Sequence, residues 1–236
     1  MDTHPFHTQT PTALATPLSR HATAPDAANI GRWDALFDAL HQAEGEFLTP
    51  EDLDHELLNQ GPGSWLSLRT RTHIAPIEKS WKLWMIGREA EARQMLCDQR
   101  PQWRSGTDAL QRQGRTRQVL WVRPVPLSPY GRYTRARLTY QQECGLQVRT
   151  VDTRRLAGLH LCDLEVLPGV VYVHRHTWSG VHQGVVRLDA PHPLVAEAED
   201  LFHQLWKNSE VISTRVNGRS GHQGMNTTPR DNCPIA

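Results

Sequence analysis

Segments with the patterns of strands and helices alternate through the middle of this 236-residue chain. Residues 65–71, 117–123 and 146–152 have the short apolar runs or period-two alternation of β-strands, and helical patterns separate them. A strand, a helix and a second strand in succession imply crossover connections. The sequence therefore predicts an α/β domain in which helices flank a mixed β-sheet.

Several helices have recognisable signals of their own. Thr49 precedes Pro50 and two acidic residues, which is the pattern of an N-cap, a first-turn proline and a favourable dipole. Apolar residues recur at helical spacing in 32–43 and again in 192–208, where they form a stripe suited to packing on a core. Further helices are expected from Pro76 and over 88–99, 104–113 and 129–144, and three short strands between 161 and 189.

The two ends of the chain differ in composition from its middle. Residues 1–30 are rich in Thr, Pro and Ala, and residues 213–236 are polar, so neither can bury enough apolar surface to offset the entropy of ordering. We therefore expect a disordered arm over 1–30, one domain over 31–212 and a disordered tail over 213–236. No stretch approaches the roughly 20 apolar residues of a membrane span, and there is no signal-peptide pattern. Four cysteines without a CxxC pair fit a reducing compartment, so a cytoplasmic protein is expected.

Charge is distributed unevenly although the net charge is only +1. Residues 34–56 contain eight acidic residues and no Lys or Arg, whereas residues 100–155 contain twelve Arg and three acidic residues. Such a contrast could steer an anionic partner to one face of the protein. It is equally compatible with neutralisation of one segment by the other inside the fold.

The segment "VRPVPLSPYGRYTRARL" combines arginines with tyrosines. If 129–144 is a helix, Arg132 and Arg135 share one face, and Tyr133 and Arg137 share another. Guanidinium groups next to aromatic rings suit phosphate contacts and ring stacking, so we expect an anionic ligand here and, more narrowly, nucleic acid. The alternative is a solvated helix face paired with the acidic segment. The predicted ligand-binding residues are Arg123, Tyr130, Arg132, Tyr133, Arg135 and Arg137, which Glu78, Lys79, Arg149, Arg154 and Arg155 could supplement.

Three histidines lie around a turn in "VVYVHRHTWSGVHQGVV", residues 170–186. His174 and His176 share one face of a strand, and His182 on the returning strand could meet them in a zinc site with an open fourth position. The alternative is an ordinary hairpin with an exposed polar face and its valines inward. Because the long "TWSG" turn leaves the register open, we favour the hairpin and expect neither a metal nor a cofactor.

Sequence signatures of common catalytic sites are missing. The phosphate-loop pattern GxxxxGK[ST], the dinucleotide pattern GxGxxG and the nucleophile pattern GxSxG do not occur in the chain.

The order of motifs resembles a bacterial domain family of unknown function whose members are often encoded beside Xre-type helix-turn-helix regulators. The resemblance covers roughly 33–212 and rests on "SLRTRTHIAPIEKSWKLWMIGRE" at 67–89, on the basic segment 114–156 and on the closing hairpin and helix of 161–212. It implies a fold akin to the phospholipase D-like superfamily and a helix-turn-helix regulatory protein as a partner. Active members of that superfamily use a His-x-Lys motif, which this chain lacks.

The expected function is therefore a non-catalytic regulatory or ligand-sensing domain that binds a phosphate-containing anion, without catalytic residues. One alternative is an enzyme acting on a phosphate ester or nucleotide, with Arg123, Arg132 and Arg135 on the phosphate and His174 or His176 as general base. Another is a direct DNA-binding protein, whose binding would weaken steeply with salt.

Overall fold

The computed structural model describes residues 27–71 and 78–212. Most of the expected N-terminal arm, the whole expected C-terminal tail and Pro76, the predicted start of a helix, lie outside the described residues.

The described residues form one open sheet of eight strands in the order β1-β7-β6-β5-β2-β3-β4-β8. Strands β2, β3 and β4 run parallel to one another, and every other neighbouring pair is antiparallel. The predicted α/β class with a mixed sheet is thus confirmed. The strands are β1 (Glu46–Leu48), β2 (Gly63–Arg69), β3 (Arg115–Arg123), β4 (Gln147–Asp152), β5 (Leu164–Leu167), β6 (Val170–His176), β7 (His182–Asp189) and β8 (Glu210–Val211).

Seven α-helices accompany the sheet within the described residues. They are α1 (Ala27–Gln42), α2 (Pro50–Asn59), α3 (Lys79–Met85), α4 (Glu89–Asp98), α5 (Arg100–Arg112), α6 (Pro129–Glu143) and α7 (Pro193–Lys207). The predicted cap of α2 is confirmed: the backbone N–H of Asp52 donates to Thr49 Oγ1 at 3.2 Å, and its carboxylate accepts from the backbone N–H of Thr49 at 3.3 Å. Helix α5 begins four residues earlier than predicted, because Pro101 is accommodated in its first turn.

Helices α1 and α7 cover one face of the sheet. Their predicted apolar stripes are buried against it, with Phe37 and Phe202 almost fully inaccessible. Leu120 and Val173 project from the strands into the same core. This face holds the largest of the hydrophobic clusters among the described residues.

Helix α2 and the helices α3 to α6 cover the opposite face. The period-two alternation of 65–71 is typical of a strand with one solvated side. Trp65, Leu66 and Ser67 are nevertheless all buried, because the crossover helices cover the side that this pattern assigns to water. Polar side chains on this face are therefore buried as well, among them Glu165 and His174. A buried polar group must find a partner, so this face has the chemistry of a site.

None of the helices in the described ranges combines the length and the apolar character needed to span a membrane.

Candidate functional site

A cavity of about 350 Å³ lies between α6 and the parallel strands β2 and β3. Arginines supply most of the charge on its wall, and we call it the arginine pocket. Its charged and aromatic lining consists of Arg69, Arg71, Arg117, Arg137, Glu78, Asp163, Trp121, Tyr130 and Tyr133.

Three residues of the predicted ligand site line the pocket: Tyr130, Tyr133 and Arg137. Tyr133 and Arg137 lie one helical turn apart on α6 and face the sheet together, as predicted. The Tyr133 hydroxyl donates to Glu78 at 2.9 Å, and Arg137 donates to the other carboxylate oxygen of Glu78 at 2.8 Å. Burial raises the pKa of Tyr133 to about 12.

The other predicted arginines do not line the pocket. Arg123 lies 3.8 Å from Asp152, and exposed Arg132 donates to a backbone carbonyl of its own loop at 3.5 Å. Arg135 projects from α6 outside the lining. Among the expected supplementary residues, only Glu78 takes part. Lys79 is exposed, Arg149 donates to the Trp206 carbonyl, Arg154 pairs with Asp152, and Arg155 pairs with Glu210.

Arg117 extends into the pocket without a carboxylate partner. Its guanidinium lies over the Trp65 ring, 4.0 Å from the centroid, and its Nε is buried without a hydrogen bond. Desolvation lowers the pKa of Arg117 to about 10. Arg115 lies over Trp65 as well, at 5.6 Å, with both terminal nitrogens unpartnered and only 1% of the residue exposed.

The remaining two pocket arginines have acidic partners. Arg69 forms an ion pair with buried Glu165, and Arg71 lies 3.6 Å from Asp163, although its Nε makes no hydrogen bond. Glu165 also accepts from Trp65 Nε1 at 2.6 Å and from Ser67. Burial raises the pKa of Glu165, but the Arg69 cation, the contact with His174 and the Arg117 charge together outweigh it and hold this pKa well below its ordinary value.

The three histidines of 170–186 converge beside the pocket, and we call His174, His176 and His182 the histidine cluster. Pairing of β6 with β7 places His176 opposite His182 and so settles the register. His174 Nδ1 lies 3.0 Å from His182 Nε2, and one nitrogen from each ring lies within 4.8 Å of the others.

The hairpin face that carries the cluster is not exposed as expected. His174 is buried and the other two rings are partly buried, while Val171 and Val173 face the opposite core as predicted. Burial, assisted by the nearby Arg71 charge, lowers the pKa of His176 to about 3, and burial also lowers the pKa of His182. These two rings are therefore neutral at physiological pH.

Arg71 joins the two sites. It lines the arginine pocket and also a neighbouring cleft of about 290 Å³ that His174 and His176 border. On the cluster's other side, His174 Nε2 lies 3.7 Å from Glu165 Oε1. Polar side chains therefore form a continuous series from the histidine cluster through buried Glu165 to the arginine pocket.

Sequence reasoning missed Arg69, Arg71 and Arg117 as ligand-binding candidates. A signal for them exists in "RTR", which occurs both at 69–71 and at 115–117. Arg115 and Arg117 share one face of β3, and its parallel pairing with β2 puts Arg69 on the same face, while Arg71 follows the end of β2.

The acidic and basic segments do not neutralise each other within residues 27–71 and 78–212. Glu46 and Glu56 form ion pairs with Arg187, which lies outside the basic segment. Asp38 pairs with His160, which also lies outside it. No ion pair in these ranges joins 34–56 to 100–155.

A solved structure of TrmBL2, an archaeal chromatin protein that binds DNA, aligns with 78% of this chain at 13% identity and a TM-score of 0.36. The alignment spans 62% of that protein's chain, and likeness at this level supports no inference about fold or function. No curated protein matches the sequence significantly. Residues 55–214, which contain both sites, match the model of a domain of unknown function, and the chain therefore belongs to the DUF6879 family.

Proposed function

We propose that this protein is a non-catalytic sensor that binds a phosphate-containing anion in the arginine pocket. The observation that carries the proposal is Arg117, a cation held inside the cavity against Trp65 without an ion-pair partner, whose charge the nearby Glu165 offsets only in part. Leaving a desolvated charge unpaired costs free energy. An anion that enters the pocket removes that cost and is therefore bound.

Phosphate suits the groups that face the cavity. Arg71 and Arg117 each have an unpartnered Nε, and guanidinium groups hydrogen-bond phosphate oxygens in pairs. Trp121 and Tyr130 give the wall an aromatic component against which a ring of the ligand can pack. The volume, about 350 Å³, lies in the range of small-molecule sites.

The absence of catalysis is proposed because the nucleophilic histidine of the phospholipase D-like superfamily has no counterpart in this chain. The chain has no His-x-Lys motif, and the described residues lining the pocket include no histidine, cysteine or serine. His174 and His176 border the adjacent cleft, so hydrolysis of a phosphate ester with one of them as general base is the competing function.

The test is calorimetric titration of the full chain with pyrophosphate and with nucleoside mono-, di- and triphosphates. Arg117→Gln should weaken binding about tenfold or more, since a hydrogen bond between charged groups contributes about 1.5–3 kcal/mol. Arg132→Gln is the matched control, because Arg132 is exposed and outside the pocket. Equal losses in the two variants would contradict the proposal.

Two further outcomes would favour the competing functions. Phosphate release that His174→Ala abolishes would show an enzyme. Retention on duplex DNA that falls steeply with salt, without affinity for the small ligands, would show a DNA-binding protein.

We also propose that the sensor acts with an Xre-type helix-turn-helix regulator, which rests on the family resemblance alone. A partnership of this kind requires the domain to act in the cytoplasm, and a phospholipase D-like ancestry would account for a phosphate pocket without the His-x-Lys motif. Co-purification of such a regulator with the tagged full chain tests it, and two proteins that elute separately would contradict it.

A further inference from the structure

We propose that His174, His176 and His182 bind a divalent transition-metal ion of the zinc type, and that Glu165 positions His174 for it. This inference rests on the histidine cluster and is independent of anion binding in the arginine pocket.

The imidazole nitrogens already lie near the spacing that a metal requires. Zinc binds histidine nitrogen at about 2.0–2.1 Å, which puts ligand atoms roughly 3.4 Å apart in a tetrahedral site. His174 Nδ1 and His182 Nε2 are 3.0 Å apart, and all three donor atoms lie within 4.8 Å of one another. Small side-chain rotations are sufficient to close the site, because two of the ligands come from adjacent positions of paired strands.

Glu165 and His174 have the arrangement expected of a metal ligand and its supporting carboxylate. Since Nδ1 of His174 faces His182, the other ring nitrogen, Nε2, is directed towards Glu165 Oε1 at 3.7 Å. Metal-binding histidines commonly donate their second N–H to a carboxylate, which sets the tautomer and the ring orientation. Hydrogen bonds from Trp65 and Ser67 hold that carboxylate in place.

The hydrogen bonding of the cluster is incomplete without a further partner. His174 Nε2 and His176 Nδ1 are both buried without a hydrogen bond. Buried polar atoms normally have a hydrogen-bond partner. Three imidazole rings joined by one hydrogen bond, that between His174 and His182, are therefore candidates for binding an additional ligand. A metal ion would accept lone pairs from all three rings and polarise His174 Nε2–H towards Glu165.

Nearby positive charge does not preclude a cation. Arg69 and Arg71 are the arginines whose charges act on His176 and His182, and each is paired with a carboxylate, Glu165 and Asp163 respectively. The cleft bordered by His176 and Arg71 gives access from solvent. Three protein ligands leave a fourth position open to water or to an anionic oxygen.

The test uses the full metal-free chain titrated with Zn²⁺ against a chromophoric chelator, and with Co²⁺ followed by visible absorption. We expect one ion per chain and the intense bands of a four-coordinate cobalt site. His176→Gln and His182→Gln should each abolish this site, and both residues are partly exposed, so the variants are expected to fold. Glu165→Gln should keep the stoichiometry but weaken binding about 10–100-fold.

His203→Gln is the matched control, because His203 is exposed on α7, where it lies 3.8 Å from Glu199. Thermal unfolding of each metal-free variant separates loss of the site from loss of the fold. No stoichiometric binding by the wild type, or binding unchanged in both His176→Gln and His182→Gln, would overturn the proposal.

Discussion

The guanidinium of Arg117 lies 4.0 Å from the centre of the Trp65 ring, on neighbouring parallel strands. The same indole donates through Nε1 to Glu165, which in turn lies 3.7 Å from His174. Trp65 therefore connects the arginine pocket to the histidine cluster. A change at this one side chain is expected to affect both sites and the stability of the face that carries them.

The hydrogen bond from Trp65 should be measurable in the free energy of unfolding. Trp65→Phe keeps an aromatic ring but removes one of the three side-chain donors to the buried Glu165 carboxylate, whereas Trp84→Phe removes a buried indole whose Nε1 has no partner. We expect Trp65→Phe to cost about 1.5–3 kcal/mol more than Trp84→Phe in urea denaturation. Similar losses in both variants would show that the indole nitrogen contributes nothing.

Removing the acid at the rim of the pocket should tighten anion binding. Glu78 pairs with Arg137 at 2.8 Å, and both groups are partly exposed, so Glu78→Gln is expected to change stability by no more than about 1 kcal/mol. The freed guanidinium should increase pyrophosphate affinity several-fold and steepen its dependence on salt. Glu91→Gln, which breaks an exposed ion pair on α4 away from the pocket, should leave affinity unchanged.

Because the phenol of Tyr133 is buried, we expect the protein to lose stability at alkaline pH. Burial raises its pKa in the folded protein from the ordinary value of 10.0 to about 12, so its neutral phenol contributes stability fully below pH 10. That contribution declines as the pH rises from about 10 to 12. The difference in unfolding free energy between the wild type and Tyr133→Phe should shrink over this window, and a constant difference would contradict the assignment.

A glycine controls how β1 joins the sheet beside the histidine cluster. Gly184 has φ +148°, and a Cβ there would lie 2.3 Å from the Leu48 carbonyl oxygen. Gly184→Ala should therefore destabilise the protein by at least about 1–3 kcal/mol, with the strain at this φ and the clash acting together.

Gly106 supplies the control for that substitution. It lies within α5, and a Cβ added there would have no neighbouring atom within 4 Å. Gly106→Ala should therefore stabilise the protein by about 0.5–1 kcal/mol. Chemical denaturation of both variants measures the two effects. A tolerated Gly184→Ala would mean that β1 does not pair with β7 as described.

Local sequence signals were sufficient to predict most of the helices and strands. The cap at Thr49, the stripe of α7 and the strand patterns of β3 and β4 predicted those elements within one or two residues. Short-range chemistry determines these features, since an N-cap or an amphipathic period depends on residues a few positions apart. Strand β1, with three residues, carries too short a pattern to be recognised.

The sequence by itself determined the α/β class, the boundaries of α2, α6 and α7, and the pairing of Tyr133 with Arg137 on one helical face. Only the tertiary structure decided that Arg69, Arg71 and Arg117 form the pocket, and that His182 meets His174 and His176. Alternation along a strand shows which side chains share a face, but not whether a helix covers that face. The register of two strands joined by a turn likewise depends on how the strands pair. Contacts between residues distant in sequence decide that pairing.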